Sequence, residues 1–190
     1  MALLIRPAEH GDIATITGIY ADAVRYGTAS FEIDPPDEKE MRRRYDVLCA
    51  GGYPFLIADA KGMIAGYAYA GPYRARPAYR WSIEDSVYIA QESQRQGIGR
   101  ALLQRLIADA QSAGFRQMIA VIGDSANVSS VELHRAAGFC TVGIFANVGF
   151  KFGRWLDTPM MQLALGVGAH EPAPEASAPA AAATTCGSLH

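Results

Sequence analysis

Gln94-Arg95-Gln96-Gly97-Ile98-Gly99 lies between a strand-like run, Ser82 to Ile89, and a helical pattern, Arg100 to Ala113. Glycines leave room for a bulky anion to lie against the main chain. A helix that follows points its N-terminal N–H groups, and the positive end of its dipole, at that anion. The segment therefore reads as a pyrophosphate cradle between a strand and a helix. Spacing argues against two rivals. A dinucleotide fingerprint needs G-x-G-x-x-G, and Leu102 stands where the third glycine belongs. A Walker loop needs Gly-Lys-Ser/Thr next, and that is missing too. Arg95 and Arg100 add positive charge on either side.

Working outward, Leu3 to Arg6 reads as a first strand, and Asp12 as the cap of a helix through about Val24. Asp37, with Glu40 three residues on, has the capping-box pattern of a second helix, ending at Gly51-Gly52. Phe55 to Ala58 and Ile64 to Gly71 are strands around a turn at Lys61-Gly62, and Tyr73 to Arg80 is a basic, aromatic loop. After the glycine loop, Leu102, Leu103, Leu106, Ile107 and Ala110 form a helical stripe. Met118 to Ile122 is a buried-type strand, Ser129 to Ala137 a short helix, and Cys140 to Phe145 and Pro159 to Leu165 the last strands. The order β-α-α-β-β-β-α-β-α-β-β predicts an α/β (mixed α+β) fold, a mixed sheet with helices on both faces.

The chain has 190 residues, half of them hydrophobic, and a net charge of −2. That suits one domain over residues 1–166. Residues 167–190 are rich in Ala, Pro, Ser and Thr and are expected to be disordered. The longest basic run, Arg42-Arg43-Arg44, follows Asp37, Glu38 and Glu40 and reads as a solvated helix face, so no nucleic-acid partner is expected. Cys49, Cys140 and Cys186 give neither a metal spacing nor a disulfide framework, which suggests the cytoplasm. The run Met1 to Ile5 is too short for a signal peptide, and no stretch is long enough to span a bilayer.

A second pattern lies downstream: Asn127-x-x-Ser130-x-x-Leu133-His134-x-x-x-Gly138-Phe139. Asn127 stands at a helix start, and Ser130 and His134, four apart, share one face. Read alone, these are an N-cap and a surface histidine. With the glycine loop, however, the chain resembles the GNAT N-acetyltransferases over about residues 3–166. The Gln-x-x-Gly-x-Gly form resembles their acetyl-coenzyme A loop. The run Pro72-Tyr73-Arg74-Ala75-Arg76-Pro77-Ala78-Tyr79-Arg80-Trp81 and the segment Ile83-Glu84-Asp85-Ser86-Val87-Tyr88-Ile89 are similar to the phosphinothricin and methionine sulfoximine acetyltransferase branch. So is the late run Val148 to Asp157.

The resemblance implies acetyl transfer from acetyl-coenzyme A to the α-amine of a small amino-acid analogue, with no metal, in a homodimer. By that resemblance Arg95, Gln96, Gly97, Ile98, Gly99 and Arg100 hold the cofactor phosphates, and Val87, Tyr88 and Ile89 pair with its pantetheine. Asn127 and Ser130 meet the pantetheine and thiol end. Arg74, Ala75, Arg76, Glu84, Asp85 and Ser86 line the acceptor pocket, with Tyr73, Trp81 and Phe31 as walls. Lys151 and Arg154 contribute through a late loop, across the dimer. A protonated amine cannot attack a thioester, so a base is required. Glu84, on the strand leading into the cofactor loop, is the candidate. Alternation sets Ser82, Glu84, Ser86 and Tyr88 on one face and turns Asp85 the other way. His134 stands where many family members carry a tyrosine that protonates the leaving thiolate. An imidazolium can do that, or the ring can only hydrogen-bond. The plainer alternative for Glu84 is a strand-edge salt bridge. Two other functions share the scaffold: a protein N-terminal or ribosomal-protein acetyltransferase, and a non-catalytic acyl-coenzyme A sensor that needs the loop but not Glu84.

Overall fold

The computed structural model describes residues 3–173. Seven strands, β1 (Leu3–Pro7), β2 (Phe55–Ala60), β3 (Met63–Pro72), β4 (Ser82–Ile89), β5 (Gln117–Val121), β6 (Cys140–Lys151) and β7 (Arg154–Ala164), form one sheet in the order β1-β2-β3-β4-β5-β7-β6. The pair β4–β5 is parallel and every other pair is antiparallel. Helices α1 (Ile13–Tyr26) and α2 (Glu38–Ala50) cover one face. Helices α3 (Ile98–Ser112) and α4 (Val128–Ala136) lie on the other.

Period-2 alternation on the strands meets period-3.6 stripes on the helices. Leu102, Leu103, Leu106 and Ala110 of α3 are fully buried against Leu56, Ala58, Ile83 and Met118. On the opposite face Ile13, Ile16 and Val24 of α1, with Met41 and Tyr45 of α2, bury Phe55, Ile57 and Tyr67. Each large side chain enclosed in this way contributes about 1.5–3 kcal/mol. The odd residues of β4, such as Ile83, therefore face α3 and α4, whereas its even residues face α1 and α2.

The caps differ in part from expectation. Asp37 Oδ1 accepts the Glu40 N–H at 2.8 Å, but the Glu40 carboxylate pairs with Arg43 and Arg44 rather than closing the box. Asp12 directly precedes α1, yet it makes no cap bond to that helix. Its carboxylate pairs with Arg6 at 2.8 Å and accepts the Glu9 N–H, closing a short 3-10 turn over His10–Asp12.

The late run is a hairpin, not a loop. β6 reaches Lys151 and β7 starts at Arg154, with Phe152 and Gly153 at the turn. The hairpin extends past the helix-covered part of the sheet. Val142, Ile144, Phe145, Val148, Phe150 and Trp155 on it are all exposed. After β7 the chain makes turns at residues 166–169; the part of the expected disordered tail from 174 onward lies outside the described residues.

Candidate active site

The site forms where β4 and β5 part. They pair from Ser82↔Gln117 to Asp85↔Ala120. Beyond that, β4 continues to Ile89 along β3, while β5 runs only to Val121, paired along its other edge with β7. Residues Ser86 to Ile89 thus present backbone N–H and C=O groups with no β5 partner. An extended ligand carrying amides fits such an edge as an added strand. Asp85, Ser86, Val87 and Tyr88 line the cleft from one side and Ala120 and Val121 from the other. Asn127, Ser130 and His134, at the start and along the inner face of α4, close it. Ile89 packs into the core below α3, so its part in a cofactor site is through its main chain.

The glycine loop opens α3. Gly97 is the N-cap and has φ +80°, a left-handed conformation that a side chain strains. A Cβ there would meet nothing within 4 Å, so the space beside the main chain is open. The first helical bond to Gly97 comes from Ala101 N at 3.1 Å. The N–H groups of Ile98, Gly99 and Arg100 therefore have no helical acceptor. Ile98 buries its side chain and offers only backbone. Arg95 and Arg100 are exposed, and the Gln96 amide donates to Glu92 O at 3.1 Å, bracing the turn. Open space, free N–H groups and two cations together fit a diphosphate.

Glu84 sits half-buried on the α1/α2 face of β4, opposite Asp85. Burial, reinforced by the Asp85 charge and opposed by Arg74, pushes its carboxyl up to about 7. A carboxylate with that affinity for protons is suited to accept one near neutral pH. Arg74, Ala75 and Arg76 are exposed in the β3–β4 loop. Arg74 stacks 5.1 Å from the Tyr73 ring and Arg80 5.5 Å from that of Trp81. The structure keeps these arginines out of the cleft and close enough for Arg74 to act on Glu84.

His134 is buried, not a surface histidine. Nε2 lies 2.9 Å from Asp85 Oδ2, and Nδ1 lies 2.7 Å from the Ser130 carbonyl. Phe139 packs edge-on at 5.0 Å. Burial opposes a charged ring, but the bond and charge of Asp85 and the Ser130 carbonyl outweigh it and raise its proton affinity above the ordinary value. Asn127 does cap α4, accepting the Ser130 N–H at 3.3 Å; it also lines the cleft.

The segment between α1 and α2 carries Ala29 into the cleft and Phe31 beside it, and the sequence gives no sign of what holds it. Three contacts do. Lys151 Nζ donates to Gly27 O at 2.9 Å and Ser30 O at 2.7 Å. The Tyr20 hydroxyl meets Ser30 Oγ at 2.9 Å. The segment also presses on two glycines: a Cβ at Gly123 would lie 2.2 Å from Thr28 O, and one at Gly149 2.3 Å from the Phe31 ring. Lys151 and Arg154, expected to reach a partner's site, are thus engaged within their own chain, Arg154 with Asp124.

A sheet that splays at its one parallel pair, with a glycine turn feeding a helix beside the gap, defines an acyl-coenzyme A transferase architecture. The sequence matches the acetyltransferase (GNAT) domain over residues 5–160, and the chain belongs to that family. It is 50% identical to phosphinothricin N-acetyltransferase of Alcaligenes faecalis over 167 residues, 88% of this chain and 85% of that protein. Identity with the L-methionine sulfoximine/L-methionine sulfone acetyltransferase of Salmonella typhimurium is 39%, covering 86% and 95%. The crystal structure of a phosphinothricin acetyltransferase from Sinorhizobium meliloti in complex with AcCoA superposes with a TM-score of 0.91 at 45% identity, covering 95% and 97%.

Proposed function

We propose that this chain acetylates the α-amine of small amino-acid analogues of the phosphinothricin, methionine sulfoximine and methionine sulfone type, by direct transfer from acetyl-coenzyme A. The observation that carries the reading is the parting of β4 from β5 after Asp85, with the Glu84 carboxyl, pushed up to about 7, two residues before the free edge. Acetyl-coenzyme A supplies a thioester carbonyl when bound. Gly97 to Arg100 hold its diphosphate, and the open edge of β4 receives its pantetheine beside Asn127 and Ser130. Glu84 takes a proton from the acceptor's ammonium, directly or through water. As the C–N bond forms and the C–S bond breaks, the electron pair leaves with sulfur, on the side of the cleft walled by His134. Backbone N–H near Val87 steadies the carbonyl oxygen. Arg74 and Arg76 suit the acceptor's anionic groups, which a guanidinium grips with two bonds.

The same reading includes a homodimer. β6 is a twelve-residue edge strand with an apolar, uncovered surface. Such a surface on a soluble chain calls for a partner, and a second copy fits the resemblance to a dimeric branch. Among the described residues no helix is long and apolar enough to cross a membrane, and the cytoplasm is the proposed place of action. The test is thiol release from acetyl-coenzyme A across phosphinothricin, methionine sulfoximine, methionine sulfone, ordinary amino acids and short peptides. Turnover on the three analogues supports the reading. Turnover on peptides alone would replace it with protein acetylation, and none at all would favour a sensor.

A further inference from the structure

Asp85 is buried, its side chain lies on the face of β4 opposite Glu84, and the acyl-transfer steps above leave it without a task. Its Oδ2 meets His134 Nε2, while its Oδ1 is enclosed with no hydrogen-bond partner. The other ring nitrogen, Nδ1, stands 2.7 Å from a carbonyl oxygen, which can only accept. Nδ1 must therefore carry a hydrogen. Nε2 faces an Asp85 carboxyl oxygen, and with that carboxyl ionised, so that it can only accept, Nε2 carries one as well. A ring that donates from both nitrogens is an imidazolium.

We infer that Asp85 is a positioning residue that pins the His134 ring, doubly protonated, in the wall of the β4–β5 cleft, so that a fixed positive charge stands where the leaving sulfur becomes anionic. The inference rests on the acyl-transfer reading above. It gives His134 a definite part, because both of its N–H groups are already committed to Asp85 and Ser130. The ring serves as a held charge rather than as a direct proton donor. A preorganised cation in a water-poor wall stabilises a developing anion without reorientation. An ordinary thiol has a pKa near about 8.5, so the departing sulfur takes its proton from solvent on release, while the amine's proton goes to Glu84.

The surroundings of the ring leave Asp85 to set its charge. From β4 it meets Asp85; Glu84 is on the other face of that strand. From its own helix it meets the Ser130 carbonyl, with the Ser130 hydroxyl 3.5 Å away. Arg135 and Glu132 pair with each other at the exposed surface of α4. The register partner of Asp85 on β5 is apolar Ala120, and behind the ring is Phe139.

The experiment is a ¹⁵N NMR titration of the imidazole nitrogens in the protein without coenzyme A or acceptor, His134 being assigned by through-bond correlation. It is run on the wild type and on Asp85→Asn, with the pH profile of kcat for both. The expected wild-type ring carries two protons at pH 7. Asp85→Asn lowers its midpoint by at least one pH unit. The alkaline limb of kcat falls by the same amount, while Kd for coenzyme A stays within twofold. The acid limb, set by Glu84, moves down too, because Asp85 helps to raise it. A singly protonated wild-type ring at pH 7 would overturn the inference, with or without a folded variant. So would an unchanged midpoint in Asp85→Asn. A doubly protonated ring in a protein that acetylates no amino acid would support the pairing and overturn the proposed function instead.

Discussion

His134 Nε2 lies 2.9 Å from Asp85 Oδ2, joining α4 to β4 across 49 positions of sequence and walling the cleft at the point where β4 leaves β5. The bond places two neighbouring carboxyl groups in different surroundings. Asp85 faces a buried imidazole on one side of the sheet. Glu84, its neighbour in sequence, faces the α1/α2 side, where burial pushes its carboxyl up to about 7. Adjacent residues of a regular strand point to opposite faces, so in the proposed reaction one strand would serve both the leaving group and the incoming amine.

Glu84→Gln removes the proposed base while keeping shape and hydrogen-bonding. Single-turnover acetylation should slow by about 10²–10⁴-fold, with Kd for coenzyme A unchanged by calorimetry. Equal single-turnover rates would remove Glu84 as the base.

The raised carboxyl predicts the pH response of both activity and stability. Turnover should climb with pH through a midpoint near 7, as Glu84 loses its proton. Stability runs the other way. Below the unfolded value of about 4.3, Glu84 is protonated in both states and has no effect. As pH rises from there towards 7, only the unfolded chain releases the proton, so the folded state loses ground, fully above 7. Glu84→Gln should therefore match the wild type in thermal unfolding at pH 4 and exceed it at pH 8, by about 1–2 kcal/mol after allowance for solvent screening. A constant difference at both pH values would contradict the raised carboxyl.

Gly97→Val puts a branched side chain into the open space beside the left-handed turn. Affinity for coenzyme A should fall at least tenfold by titration calorimetry. Thermal unfolding without ligand should record a separate strain of about 1–2 kcal/mol. Unchanged affinity would count against the diphosphate cradle.

Lys151→Met leaves the Gly27 and Ser30 carbonyls without their donor. The expected cost is about 1–3 kcal/mol for each buried group left unpaired. Because the clamped segment borders the cleft, KM for the acceptor should rise more than Kd for coenzyme A. Equal changes in both would argue that the clamp does not shape the acceptor side.

Charge on the hairpin tests the dimer. Ile144→Glu combined with Trp155→Glu, both at exposed positions, should convert a dimer to a monomer in sedimentation-velocity runs. A wild-type chain that is already a monomer would contradict the assignment.

Much of this architecture could be read from the chain because local physics agreed with the fold. The stripe Leu102, Leu103, Leu106 and Ala110, the Asp37 cap and the glycine turn at Gly97 each act within a few residues, and all three appear where their patterns put them. Alternation also turned Asp85 away from Glu84. What was hidden is long-range. Nothing near Asp85 announces His134, and nothing near Lys151 announces carbonyls 121 and 124 positions away. The hairpin was read too short because it projects beyond the helices. With both faces of β6 exposed, apolar residues need not alternate with polar ones, and the pattern that marks a half-buried strand is lost. Asp12 was misjudged for another reason: its carboxylate had a stronger partner in Arg6 than the helix end could offer.

The most direct test is a crystal structure of the chain with coenzyme A bound. The account predicts the diphosphate against the N–H groups of Gly97 to Arg100 and the pantetheine running along the free edge of Ser86 to Ile89, with sulfur between Glu84 and His134. Coenzyme A bound elsewhere, or a β4 edge that stays empty while the nucleotide binds, would contradict it.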